Sequence, residues 1–111
     1  MSKSLPMLDI ADMRNAALKA TSLLKVMSNP DRLLLLCQLS QGEHCVSELE
    51  AALDIFQPTL SQQLAALRNE GLVTTRRAGK QMYYAIASKQ VLALLQTLYE
   101  QFCSSVAEDK S

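Results

Sequence analysis

Gln57-Pro58-Thr59-Leu60-Ser61-Gln62-Gln63-Leu64-Ala65-Ala66-Leu67-Arg68-Asn69-Glu70-Gly71 is the stretch on which the fold turns. At 100° per residue Leu60, Leu64 and Leu67 fall on one stripe, so the segment predicts a helix with a single core-facing side. Pro58 suits the first helical position, where no needed amide is lost, and Gly71 suits the C-terminal cap, which sets the helix at about 58–70. The opposite face carries Thr59, Ser61 and Gln62 near the N-terminus, and Ala65 and Ala66 keep the helix slim. Short uncharged polar side chains can bond base edges, glutamine pairing bidentately with adenine, and a helix N-terminus attracts phosphate. In isolation the same face could be ordinary solvated surface.

Its neighbours decide between the two. On the C-terminal side, Leu72 to Thr75 and Gln81 to Ile86 are β-prone and Ala78-Gly79 supplies a tight turn, predicting a two-stranded hairpin with Arg76, Arg77 and Lys80 at its tip. Cations on a thin projection can reach phosphate or a minor groove. From Gln57 to Lys89 the bases Arg68, Arg76, Arg77, Lys80 and Lys89 face the single acid Glu70, although the whole chain has zero formal net charge. The distribution, not the sum, supplies a cationic surface.

On the N-terminal side, Ser47-Glu48-Leu49-Glu50 has capping-box spacing and predicts a short third helix ending near Leu53. Asn29-Pro30 starts a second helix, to about Ser40, whose Leu33 to Cys37 run is apolar all round and predicts a helix surrounded by the domain. From Met13, the residues Ala17, Leu18, Ala20, Leu23, Leu24 and Met27 mark a first helix. After Ser88, a cap, Val91, Leu94, Leu95, Leu98, Tyr99 and Phe102 mark the last, with Leu92 widening its apolar face. That width predicts two burial partners: its own domain and, together with the first helix, a second subunit.

The fold expected is therefore mainly α with a small β-hairpin: a winged helix-turn-helix of five helices, a two-stranded wing between the fourth and fifth, and a dimeric assembly. Residues 12–105 form the DNA-binding and dimerisation domain, with 1–11 and 106–111 as flexible termini. A chain of 111 residues is sized for one domain. No apolar run approaches the roughly 20 residues of a membrane span and the N-terminus has no signal-peptide core, so a cytoplasmic protein is expected. An odd set of three cysteines, Cys37, Cys45 and Cys103, does not read as a secreted disulfide framework. One histidine, scattered acids and no glycine-rich phosphate loop leave no catalytic set, so neither enzyme activity nor a cofactor is expected.

Five segments resemble ArsR/SmtB repressors: Ser28-Asn29-Pro30-Asp31-Arg32, Gln57 to Leu64, Leu67-Arg68, Gly71-Leu72-Val73 and Arg76-Arg77-Ala78-Gly79-Lys80-Gln81-Met82-Tyr83-Tyr84. The resemblance spans about Ala20 to Cys103. It implies a symmetric homodimer with the first and fifth helices at the interface, the fourth helix in the major groove of double-stranded operator DNA with an inverted repeat, and release by an inducer. The DNA-binding residues expected are Gln57, Thr59, Ser61, Gln62, Gln63, Arg68, Arg76, Arg77 and Lys80.

Where arsenic-sensing members carry Glu-Leu-Cys-Val-Cys-Asp-Leu, this chain has Glu43-His44-Cys45-Val46-Ser47-Glu48-Leu49, one thiolate where a soft metal needs several. His44 is the only histidine, so the family's last-helix zinc site cannot be assembled, and no metal is assigned. Cys37 on the second helix and Cys103 after Phe102 instead resemble the persulfide-sensing BigR and SqrR subgroup. That resemblance implies thiol switching of operator binding at Cys37 and Cys103, by reactive sulfur species or an oxidant, with reactive sulfur species as the inducer expected. A metal- or metalloid-responsive repressor using Cys45 stays open, as does a regulator whose cysteines only pack.

Overall fold

A computed structural model describes residues 9–103, so the terminus expected to be flexible at 106–111 and most of that at 1–11 lie outside the described residues. The elements run α1 (Ile10–Met27), α2 (Pro30–Leu39), β1 (His44–Cys45), α3 (Val46–Leu53), α4 (Thr59–Asn69), β2 (Val73–Ala78), β3 (Gln81–Ile86) and α5 (Lys89–Phe102). All five expected helices and the hairpin are present. Helix α1 begins earlier than its apolar periodicity indicates, because the Asp9 carboxylate accepts from the Asp12 amide at 2.8 Å and caps it.

Four expectations are corrected. The sheet has three strands, not two: β1 adds to the hairpin in the order β1-β3-β2, pairing His44 with Tyr84 and Cys45 with Tyr83. Two residues are too short a run to show alternation in a sequence. Helix α3 starts at Val46 with Cys45 as its N-cap, and it is Glu48 that reaches back to the Cys45 amide at 2.9 Å, so the capping register lies two residues before the expected Ser47 and Glu50 pair. Helix α2 is not buried on every side, since Leu34 is 47% exposed and Cys37 is also exposed. Pro58 acts as N-cap of α4, one residue ahead of its expected place.

The core is aliphatic, with Leu35, Leu36, Leu49, Leu60, Leu64, Leu67 and Val91 almost wholly buried. Leu35 and Leu36 put α2 at the centre, packed against α1, α3, α4, α5 and β3. Leu60, Leu64 and Leu67 are the stripe read from the sequence, and their burial fixes which face of α4 points out. At the end of α4 the Leu72 amide bonds the Leu67 carbonyl and the Gly71 amide that of Arg68, both at 3.0 Å. This closure puts Gly71 at φ +76°, a conformation a side chain would strain, and turns the chain directly into β2.

Candidate nucleic-acid interface and thiol pair

With the leucine stripe inward, Thr59, Ser61, Gln62 and Arg68 are exposed together on α4. Two of the expected reading residues are engaged within the protein. The Gln57 side-chain oxygen accepts from the Ser61 amide at 3.0 Å and so caps the first turn of α4. Gln63 is half-buried, and its Oε1 accepts from Arg32 Nε at 2.9 Å, which turns it toward α2.

In the hairpin, Gly79 at φ +62° permits the tight turn between β2 and β3. Arg77 and Lys80 are exposed beside it, without an ion-pair partner among the described residues. Arg76 sits lower and is occupied: its guanidinium pairs with Glu43, Nε donating to both carboxylate oxygens at 3.0 Å, and lies 4.9 Å from the centre of the Tyr83 ring. Hydrogen bonding from Arg76 holds the Glu43 carboxyl below its ordinary range, and the pairing raises Arg76 in turn. Neither Glu43 nor Tyr83 stood out as a site residue in the sequence, because the pairing of Arg76 with Glu43 joins positions 33 residues apart.

The third feature lies between α2 and α5. Cys37 and Cys103 are both exposed free thiols, one on α2 and the other at the C-cap of α5. A cleft of about 390 Å³ here is lined by Cys37, Ser40, Gln41, Leu95, Gln96 and Tyr99, among others. Partial desolvation raises the Cys37 thiol above its ordinary range, and charge on Cys103 raises it further. The cleft residues were missed from sequence, although Ser40 and Tyr99 stand three or four residues from a cysteine, the spacing of helical neighbours.

Cys45, by contrast, is buried where β1 leads into α3, its Sγ 3.3 Å from Ser47 Oγ. His44 bonds the Gly42 carbonyl through Nδ1 at 2.8 Å. Among the described residues, no three His, Cys, Asp or Glu side chains are grouped to hold a metal ion, and no helix is long and apolar enough to cross a membrane.

A slim polar helix set behind a turn, followed by a basic hairpin, defines a winged helix-turn-helix protein. The profile described as "Bacterial regulatory protein, arsR family" matches residues 29–75. The biofilm growth-associated repressor of Agrobacterium fabrum is 50% identical over 83% of this chain and 79% of its own length. The crystal structure of the transcriptional repressor BigR from Xylella fastidiosa superposes with a TM-score of 0.81 at 44% identity, over 87% of this chain and 99% of that one. Reduced HlyU from Vibrio cholerae N16961 superposes with a TM-score of 0.81 at 39% identity, over 86% of this chain and all of that one. The chain belongs to the arsR family of bacterial regulatory proteins: it is a DNA-binding transcription regulator, not an enzyme.

Proposed function

We propose that this protein is a homodimeric repressor that reads an inverted-repeat operator with Thr59, Ser61 and Gln62 of α4, grips phosphate with Arg68, Arg77 and Lys80, and is released from DNA by reactive sulfur at Cys37 and Cys103. The single observation that carries the switching is the exposure of two free thiols, Cys37 on α2 and Cys103 at the end of α5, on helices that pack against each other. Repression is supported by similarity to repressors named for biofilm growth.

Dimerisation is supported by unburied apolar surface. On α1, Ile10, Met13, Leu18 and Leu24 are 68, 51, 63 and 51% exposed, and on α5 Leu92, Tyr99 and Phe102 are 44, 50 and 71% exposed. A groove of about 710 Å³, lined by Ala20, Leu23, Leu24, Leu72, Ala93 and Leu94 among others, runs between these helices. Exposed apolar side chains on two helices that border one groove mark an interaction face, and a small domain gains core by pairing with its copy.

The chemistry is thiol exchange. A cysteine thiolate attacks the outer sulfur of an organic persulfide R-S-SH, forming protein Cys-S-SH and expelling the thiolate RS⁻. The partner thiolate attacks the inner sulfur of that protein persulfide, forming a Cys37–Cys103 disulfide and expelling hydrosulfide. If the protein persulfide first gains further sulfur, the link is a polysulfide. Either bridge ties α2 to α5, and because α5 belongs to the dimer face it alters the angle between the two reading heads.

The test starts from a duplex that the reduced protein selects from a randomised pool. Binding is followed by fluorescence anisotropy before and after an organic persulfide, with cysteine mapping by mass spectrometry and arsenite as a parallel challenge. Loss of binding with a sulfur-containing Cys37–Cys103 link is the expected result. Unaltered binding after persulfide, or release by arsenite instead, overturns it.

A further inference from the structure

The Ser28-Asn29-Pro30-Asp31-Arg32 segment marks the family but has no part in the function described so far. Asn29 acts locally, its side-chain oxygen accepting from the Arg32 amide at 3.1 Å to cap α2. The Arg32 side chain does something different. Half-buried, it donates from one nitrogen, Nη1, to the Val26 carbonyl at 3.2 Å and from another, Nε, to Gln63 Oε1 at 2.9 Å. The one ion pair among the described residues is that of Arg76 with Glu43, so Arg32 is held by neutral acceptors alone.

Both acceptors are informative. Val26 lies in the last turn of α1, where carbonyls lack intrahelical partners and the helix dipole favours a cation. Gln63 neighbours Gln62 on α4. The three inward leucines can tolerate small rotations of α4 about its axis, whereas a directional bond to Gln63 cannot, and hydrogen bonds from a charged donor are roughly twice as strong as neutral ones. The planar guanidinium holds two acceptors in fixed relative positions, which a lysine ammonium on its flexible stem does not.

We propose that Arg32 is a positioning residue for DNA reading: its guanidinium clamps Gln63 of α4 to the Val26 carbonyl of α1 and so sets the orientation of the reading face relative to the helix that bears the dimer contact. Gln63 is then an anchor and not a base-reading side chain. This rests on the reading in which α4 faces the operator and α1 meets the second subunit.

The experiment compares binding to the selected duplex with binding to a scrambled duplex of equal composition, for R32K, R32M, Q63L and the R32K/Q63L double variant, at a temperature where thermal melting shows every protein folded. Each single variant is expected to lower the selected-to-scrambled ratio by roughly tenfold, the scale of one charge-assisted hydrogen bond. The double variant is expected to lose no more than the worse single one, because either change opens the same clamp. Additive losses overturn the proposal by showing Gln63 to act independently of Arg32. An undiminished ratio in R32K also overturns it, as does equal weakening on both duplexes by R32M alone, which marks Arg32 as a phosphate contact. If the unaltered protein selects no duplex at all, it is the operator-reading function that fails, a distinct result from selection by the unaltered protein with R32K unaffected.

Discussion

Replacing the wing arginines one at a time separates a free cation from an occupied one. Arg77 is exposed beside the turn without an ion-pair partner among the described residues, whereas Arg76 is tied to Glu43 and lies against Tyr83. Each phosphate neutralised contributes about 0.9 to the slope of log K against log salt, so Arg77→Ala, acting on both wings of a dimer, should flatten that slope by about 1.8. Between about 50 and 200 mM salt the contribution of two such contacts amounts to about a twelvefold change in affinity, which fades in the variant. Arg76→Ala should change the slope less, since its charge is already balanced by Glu43. Fluorescence anisotropy on the selected duplex across four or five salt concentrations reads both. A slope unchanged in Arg77→Ala, or flattened equally in Arg76→Ala, refutes the distinction between the free and the paired cation.

Gln62→Ala should relax sequence preference by about 1–3 kcal/mol at one position per half-site while leaving the salt slope alone, measured on duplexes substituted base by base. Leu64→Ala, at a position 1% exposed, should cost about 2–5 kcal/mol in denaturant unfolding and reduce DNA binding only through loss of folded protein. Leu24→Glu should place a charge in the groove between α1 and α5 and shift sedimentation toward the monomer at concentrations where the unaltered protein is dimeric. Cys103→Ser removes the charge that adds to the elevation of the Cys37 thiol. The onset of Cys37 alkylation should therefore move to lower pH, yet stay above that of an unperturbed cysteine because desolvation, the larger cause, remains. Iodoacetamide rates across the neutral to alkaline range, read by mass spectrometry, check the direction.

Much of the candidate site could be read without coordinates because it lies within a single continuous segment. The leucines at 60, 64 and 67 orient α4 by helical geometry alone, so the exposure of Thr59, Ser61 and Gln62 followed from spacing. The basic turn followed from β-prone runs on either side of Ala78-Gly79. Gln57 and Gln63 were harder to place, since a glutamine at a helix start can bond a base, an amide or another side chain, and only the surroundings choose. The Gln63 partner, Arg32, is 31 residues away, and nothing local announces it.

Periodicities of 3.6 and 2 residues and helix caps act over a few neighbouring residues, so amino-acid order alone was enough for the helices, the hairpin and the polarity of the reading face. Contacts between distant segments were settled only by the fold. It added β1 to the sheet, whose pairing with β3 joins His44 to Tyr84. It withdrew Arg76 into a pair with Glu43, joined Gln63 to Arg32, and left Leu34 and Cys37 exposed on α2. These are directional or electrostatic contacts whose energy depends on distance in space, and the amino-acid order does not carry that distance until the leucine core has closed.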